Sequence, residues 1–354
     1  MKTAFTIISL LLFVNTFTYA QRTTQRIDSL VNSFHESNPE ISMSVGFIQG
    51  GETFFTAYGN LSREGNDAID KHTLFEIASI TKIMTANLIA QAVLESKLKV
   101  DDYIDDYLPA VYQLNKTIQN KIKISDLASH QSGLPDIDFR ELIEKNPQQP
   151  TASVDQDLLT KLINQCNSLK DYGSYRYSTV GFVLLGQILE DLYGKSYDQL
   201  VREKIIAPLN MTRTYTTDFD VANVAIGYNK DGGVQAPFIW NIVAPSGLVK
   251  SSTSDMMKFL SALLDETSAI GQAAKLTEVP YFIEGNEAIG LGTNIIQDGD
   301  NTLYLKSGDL LGQSSMLCYN RLSDWGVLIF MNQNDWKLRN DMLNTMYESI
   351  LKDQ

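Results

Sequence analysis

The chain of 354 residues lacks several things that common hydrolases depend on. It has only three histidines, His35, His72 and His130, and no His-x-His or His-x-x-x-His pair, so the usual zinc-ligand spacings are missing. No Gly-x-Ser-x-Gly elbow occurs, which argues against a Ser-His-Asp hydrolase built on that turn. His130 lies in a loop-like segment and is read as structural, bonded to nearby backbone. The two cysteines, Cys166 and Cys318, are far apart in the chain, and pairing between them in an oxidising compartment stays open. Basic residues are outnumbered, 29 to 42, for a formal charge of −13, which argues against a nucleic-acid partner. The N-terminal apolar run, Ile7 to Val14, is too short to span a bilayer.

What is present is enough apolar material for a sizeable core: 44% of the residues are hydrophobic, which suits one large domain or two intimate ones. Residues 1–20 read as an export signal, with Lys2, the Ile7 to Val14 core and Thr18-Tyr19-Ala20 before Gln21. Cleavage after Ala20 implies a periplasmic or secreted protein with no integral membrane segment. With no cysteine directly after that point, lipid anchoring there is not expected.

Helical spacing marks Gln21 to Glu36, with Ile27, Leu30, Val31 and Phe34 on one face. Strand-like runs follow at Ile41 to Ile48 and Thr53 to Tyr58, joined by the turn Gln49-Gly50-Gly51. The middle of the chain reads as helical: Ile83 to Leu94, Val180 to Tyr193 stopped by Gly194, and Met256 to Leu264 capped from Ser251 to Asp255. Residues 136–156 are polar, contain proline and read as a surface insertion. Alternation returns at Ile289 to Ile296, Thr302 to Lys306, Ser314 to Tyr319 and Gly326 to Met331, before a final amphipathic helix from Trp336 to Leu351. Strands at both ends and helices between them predict a discontinuous α/β domain, residues 21–75 with 285–354, and a mainly helical domain, 76–284. A cleft between the two is the natural place for a site.

The chemistry centres on Phe75-Glu76-Ile77-Ala78-Ser79-Ile80-Thr81-Lys82. A helix starting near Ser79 puts Lys82 one turn on, on the same face. Serine needs a neighbouring base, and a lysine serves only when neutral, a state that burial or a second cation favours. The bare spacing is weak, because Ser96/Lys99 and Ser349/Lys352 share it in charged stretches. Two further blocks fit the same mechanism. Tyr177 offers a phenol for proton relay, and Lys306-Ser307-Gly308 closes a strand with a charge for a substrate carboxylate and a glycine that lets a ligand near the backbone.

Together these blocks resemble the serine β-lactamase and penicillin-binding protein superfamily, in its class C β-lactamase and D-alanyl-D-alanine carboxypeptidase branch. The resemblance also runs through His130-Gln131-Ser132-Gly133-Leu134-Pro135, Tyr177-Ser178-Thr179, Pro208-Leu209-Asn210-Met211, Gly247-Leu248 and Gly290-Leu291-Gly292, over roughly residues 40–335. It implies an α/β (α+β) fold of the β-lactamase/transpeptidase type, an antiparallel sheet flanked by terminal helices with an inserted all-helical domain. It implies that Ser79 forms an acyl-enzyme, that Lys82 and Tyr177 share the proton work, and that the backbone amides of Ser79 and Asp309 hold the oxyanion. Lys306 would set the electrostatics. No metal or other cofactor is implied, and the partner is a small-molecule or peptide acyl substrate: a β-lactam, a peptidoglycan peptide or an ester.

Two residues depart from the pattern. Thr179 stands where the family has an asparagine amide that helps hold the substrate's acylamide group and the lysine. Asp309 stands where small residues are usual, with its carboxylate facing the region that receives a β-lactam's own. Like charges roughly 4 Å apart cost on the order of 4 kcal/mol at an effective dielectric of about 20, so weak activity on ordinary penicillins is expected. These departures give weight to an esterase or D-amino-acid peptidase of the same family. A non-hydrolytic penicillin-binding or sensor protein is the reading from a different class.

Overall fold

The structure, a computed structural model, describes residues 22–217 and 221–352. The expected export signal therefore lies outside the described residues. Eight antiparallel strands form the main sheet. Met43–Gln49 and Glu52–Tyr58 come from the N-terminal part, and six more come from Phe282–Glu284 through Trp325–Met331. The two parts join where Met43–Gln49 runs beside Trp325–Met331, with Met43 opposite Met331 and Gln49 opposite Trp325.

Side chains alternate across a strand, so the central strands of this sheet feed two cores. On one face Met43, Val45, Phe47, Trp325, Val327, Ile329 and Met331 pack under the N-terminal helix (residues 22–37) and the C-terminal helix Trp336–Met346. On the other face Ile48, Leu328 and Phe330 join the larger core beneath the helices Thr81–Leu94, Thr179–Tyr193 and Thr253–Leu264. Ile27 and Val31 of the first helix are buried, while Leu30 and Phe34 pack at the margin. A side chain the size of Phe330, fully buried, contributes roughly 1.5–3 kcal/mol.

The expected strand Ile289 to Ile296 is in fact a hairpin. Glu287–Ile289 and Asn294–Asp298 pair antiparallel across Gly290-Leu291-Gly292-Thr293. Gly292 has φ +70, and a Cβ on it would come within 2.9 Å of the Lys82 carbonyl. The chain turns there because the loop must seat against the helix that carries Lys82. The middle of the chain is mainly helical, and it also holds a three-stranded sheet in which Lys250–Ser252 lies between Leu74–Glu76 and Thr214–Tyr215. Gly194 ends the Thr179–Tyr193 helix in the left-handed conformation, as its position predicts. Cys166 and Cys318 are both free and belong to different cores, which settles the open pairing against a disulfide. Among the described residues no helix is long and apolar enough to cross a membrane.

Candidate active site

The strand Leu74–Glu76 runs into a single 3-10 turn, Ala78–Ile80, and then into the helix Thr81–Leu94. Ala78 sits at φ 49, a conformation that L residues adopt at a cost, so the turn presenting Ser79 is strained. Gly308 makes the turn possible. A Cβ there would meet Ser315 Oγ at 2.4 Å, Ile77 O at 2.5 Å and Ala78 Cβ at 2.9 Å. The glycine thus admits the backbone that leads into the nucleophile turn.

Ser79 Oγ lies 2.6 Å from Tyr177 OH and accepts from Lys82 Nζ at 3.3 Å. Lys82 is buried and also donates to the Ser246 carbonyl at 2.6 Å. Burial pulls the Lys82 pKa down to about 7, against an opposing pull from the Asp136 carboxylate. Lys306 also approaches Tyr177: the two ammonium nitrogens stand 4.8 Å (Lys82) and 5.2 Å (Lys306) from the phenol ring centroid. Burial holds Lys306 at about 8, with Tyr177 raising it and Lys82 lowering it. Its one hydrogen bond among the described residues goes to Asn294 Oδ1 at 3.3 Å.

The structure therefore brings Ser79, Lys82, Tyr177 and Lys306 together. Thr179 and Asp309 line the same cavity of about 500 Å³ as Ser79, Lys82 and Tyr177. Ser307 is half-buried on its strand and does not line that cavity, and neither does Gly308. His130 is buried with its ring 4.6 Å from that of Tyr177, and its Nδ1 accepts from the Ser178 amide at 3.1 Å. Burial and the two lysines push its pKa well down, so it serves as a neutral spacer.

Asp309 requires a correction. Its carboxylate accepts from Arg339 Nη1 at 2.6 Å, and Arg339 is buried. A partnered carboxylate repels an incoming carboxylate far less than a bare one, so the repulsion expected from sequence is largely offset.

Sequence reasoning missed Asp136. Its two oxygens accept from the Thr179 amide at 2.7 Å and the Val180 amide at 3.0 Å, two of the unpaired donors at the start of that helix. Ser178 Oγ takes a third, from Gly181. Asp136 thus fixes the turn that aims Tyr177 and also lines the cavity. The segment read as a surface insertion supplies Ile137, Phe139, Ile143, Pro150 and Thr151 to the cavity as well. The signal for Asp136 was its place directly after the block His130 to Pro135. Among the described residues no cluster of His, Cys, Asp or Glu is suited to hold a metal.

A serine on a strained turn, bonded to a phenol and a buried lysine, with a second buried lysine near the phenol ring, is an arrangement suited to serine acyl transfer. The beta-lactamase family model matches residues 27–348, and the chain belongs to that family, within the serine β-lactamase and penicillin-binding protein superfamily. A beta-lactamase of Pseudomonas fluorescens is 25% identical over 277 residues, covering 76% of this chain and 73% of that protein. Penicillin-binding protein 4 of Amycolatopsis lactamdurans is 26% identical over 258 residues, and Protein flp of Staphylococcus aureus strain COL is 24% identical over 323. Those matches cover 68% and 88% of this chain but only 63% of each relative. Among solved structures, a class C beta-lactamase superposes with TM-score 0.81 at 19% identity, covering 93% of this chain and 96% of that one. The Beta-Lactamase/D-Alanine Carboxypeptidase from Pseudomonas syringae gives TM-score 0.80 at 20% identity, covering 92% and 99%.

Proposed function

We propose that this chain is an exported serine hydrolase that works through an acyl-enzyme on Ser79, with class C-like β-lactamase or D-alanyl-D-alanine carboxypeptidase-type activity. The observation that carries the reading is the Ser79 hydroxyl held 2.6 Å from a phenol and 3.3 Å from a buried lysine whose pKa is drawn to about 7. As Ser79 Oγ bonds to the carbonyl carbon, its proton passes to the Lys82–Tyr177 pair. The pair returns that proton to the leaving nitrogen or oxygen as the C–N or C–O bond breaks. Water then attacks the ester, losing a proton by the same route, and the acid leaves with Ser79 restored. The Ser79 and Asp309 amides are assigned to the oxyanion, and Lys306 to the substrate's negative end. Support for export comes from the pattern of residues 1–20.

The Asp309–Arg339 pair leaves room for a substrate bearing a carboxylate, because the repulsion from Asp309 is largely offset. A second reading, an esterase or D-amino-acid peptidase, is favoured by Thr179 and by the apolar lining that Phe139, Phe238, Val243, Leu248, Leu310 and Leu311 give the cavity. Time-resolved intact mass of residues 21–354 with a penicillin separates the readings, with Ser79→Ala alongside. An adduct that forms and decays, absent in the variant, indicates β-lactam turnover, and one that persists indicates a penicillin-binding peptidase or sensor. No adduct, with a p-nitrophenyl ester still cleaved, moves the assignment to the esterase.

A further inference from the structure

The segment 236–243 has no regular secondary structure, yet it supplies Phe238 and Val243 to the wall of the cavity. Most of its anchors are neutral. Gln149 bonds the Pro237 carbonyl at 2.8 Å and the Ile239 amide at 3.0 Å, and Asn241 bonds the Thr151 carbonyl at 2.8 Å. Phe238 is held differently. Its amide donates to Glu76 Oε1 at 2.8 Å, and its carbonyl accepts from Lys250 Nζ. Glu76 and Lys250 are 3% and 2% exposed and sit directly opposite each other on paired strands. Each takes one end of a single loop residue. Burying an ionisable side chain costs stability, so two of them bonded to one loop residue point to positioning.

Glu76 is three residues before Ser79, on the strand that feeds the nucleophile turn, and its own amide donates to Gln313 Oε1 at 2.6 Å. The clamp therefore ties the wall of the cavity to the element that carries the nucleophile. We propose that Glu76 and Lys250 are positioning residues that hold Phe238 against the site, and that Phe238 is a specificity-determining residue selecting substrates with an apolar group beside the scissile carbonyl. This rests on the Ser79 hydrolase reading.

The test compares kcat/KM for p-nitrophenyl hexanoate and p-nitrophenyl acetate, so that the ratio cancels general losses at the nucleophile. Phe238→Ala should lower the hexanoate-to-acetate ratio by about tenfold, the lower end of what one methylene is worth in an apolar pocket. Glu76→Ala should lower the ratio in the same direction with Phe238 intact, and Glu76→Gln, which keeps the acceptor for the Phe238 amide, should restore it. Hydrogen exchange over residues 235–241 should quicken in Glu76→Ala and not in Glu76→Gln. Phe238→Leu, which leaves the clamp alone, should give an intermediate ratio. A Glu76→Ala protein with the wild-type ratio and unchanged exchange overturns the clamp. A ratio unmoved in Phe238→Ala overturns the selectivity role. A wild-type protein whose Ser79 fails to react with a fluorophosphonate is a separate result: it overturns the hydrolase reading, and the selectivity role with it.

Discussion

Two regions of this molecule bury positive charge, and they treat it in opposite ways. In the turn between the interior strands Ser314–Asn320 and Trp325–Met331, the half-buried Arg321 is answered in full. Its Nε and Nη2 donate to Glu278 at 2.6 and 2.7 Å, Nη2 also reaches the Leu263 carbonyl, and Tyr319 OH donates to the same carboxylate at 2.6 Å. In the cleft Lys82 and Lys306 are buried more deeply still, and among the described residues neither has a carboxylate within ion-pair distance. They receive neutral partners instead: a carbonyl, a serine hydroxyl and an amide oxygen. The first arrangement keeps its charge at any ordinary pH. The second gives up stability to bring two lysines within reach of neutrality, which a serine nucleophile requires.

The strongest test of this contrast is at the nucleophile. Ser79→Ala should lower kcat by roughly 10⁴-fold or more on any substrate the protein turns over, because the remaining groups only bind and polarise. Steady-state kinetics at saturating substrate reads this, and a loss below tenfold would place the nucleophile elsewhere. Next, Tyr177→Phe removes the hydroxyl 2.6 Å from Ser79 Oγ and should cost about 10²–10⁴-fold in kcat, the range for a positioned proton-transfer group.

The paired region should respond in stability instead. Glu278→Gln leaves the half-buried Arg321 without its counter-charge and should cost on the order of 3 kcal/mol, read by denaturant unfolding, with catalysis intact. Lys82→Met should do the reverse, abolishing activity while raising stability by about 1 kcal/mol. The sign with pH follows from linkage. The folded-state pKa of Lys82 is depressed, so its burial penalty is full below about 7 and fades as pH rises toward the unfolded value. The gain from Lys82→Met should therefore be larger at pH 6 than at pH 9. A variant that is less stable than wild type at both pH values would show that Lys82 is not held at a cost.

How far the sequence reading reached follows the same division. Ser79, Lys82, Tyr177 and Lys306 were legible because each lies in a short block whose chemistry is local: a nucleophile one turn from a base, a phenol before a helix, a lysine closing a strand. The terminal strands were legible as short strand-like runs bounded by turns, and their two faces are buried against different layers. Partners that act from a distance were not legible. Arg339 neutralises Asp309 from 30 residues on, Asp136 caps a helix that begins 43 residues later, and the carbonyl holding Lys82 belongs to Ser246, 164 residues away. Composition does not reveal such pairings. The polar, proline-bearing run 136–156 passed for a surface insertion although its apolar residues face the cavity. The break at Gly290 to Thr293 was within reach, because two glycines in a strand-like run already signal a close backbone approach.

The central claim is that burial keeps Lys82 poised near neutrality so that it can activate Ser79. The most direct measurement is the rate of Ser79 labelling by a fluorophosphonate, followed by intact mass from pH 5 to 9. The account predicts a rate that climbs with pH through a midpoint near 7, as Lys82 loses its proton, and no label in Ser79→Ala. A rate independent of pH across that range, or a label that persists in Ser79→Ala, would contradict it.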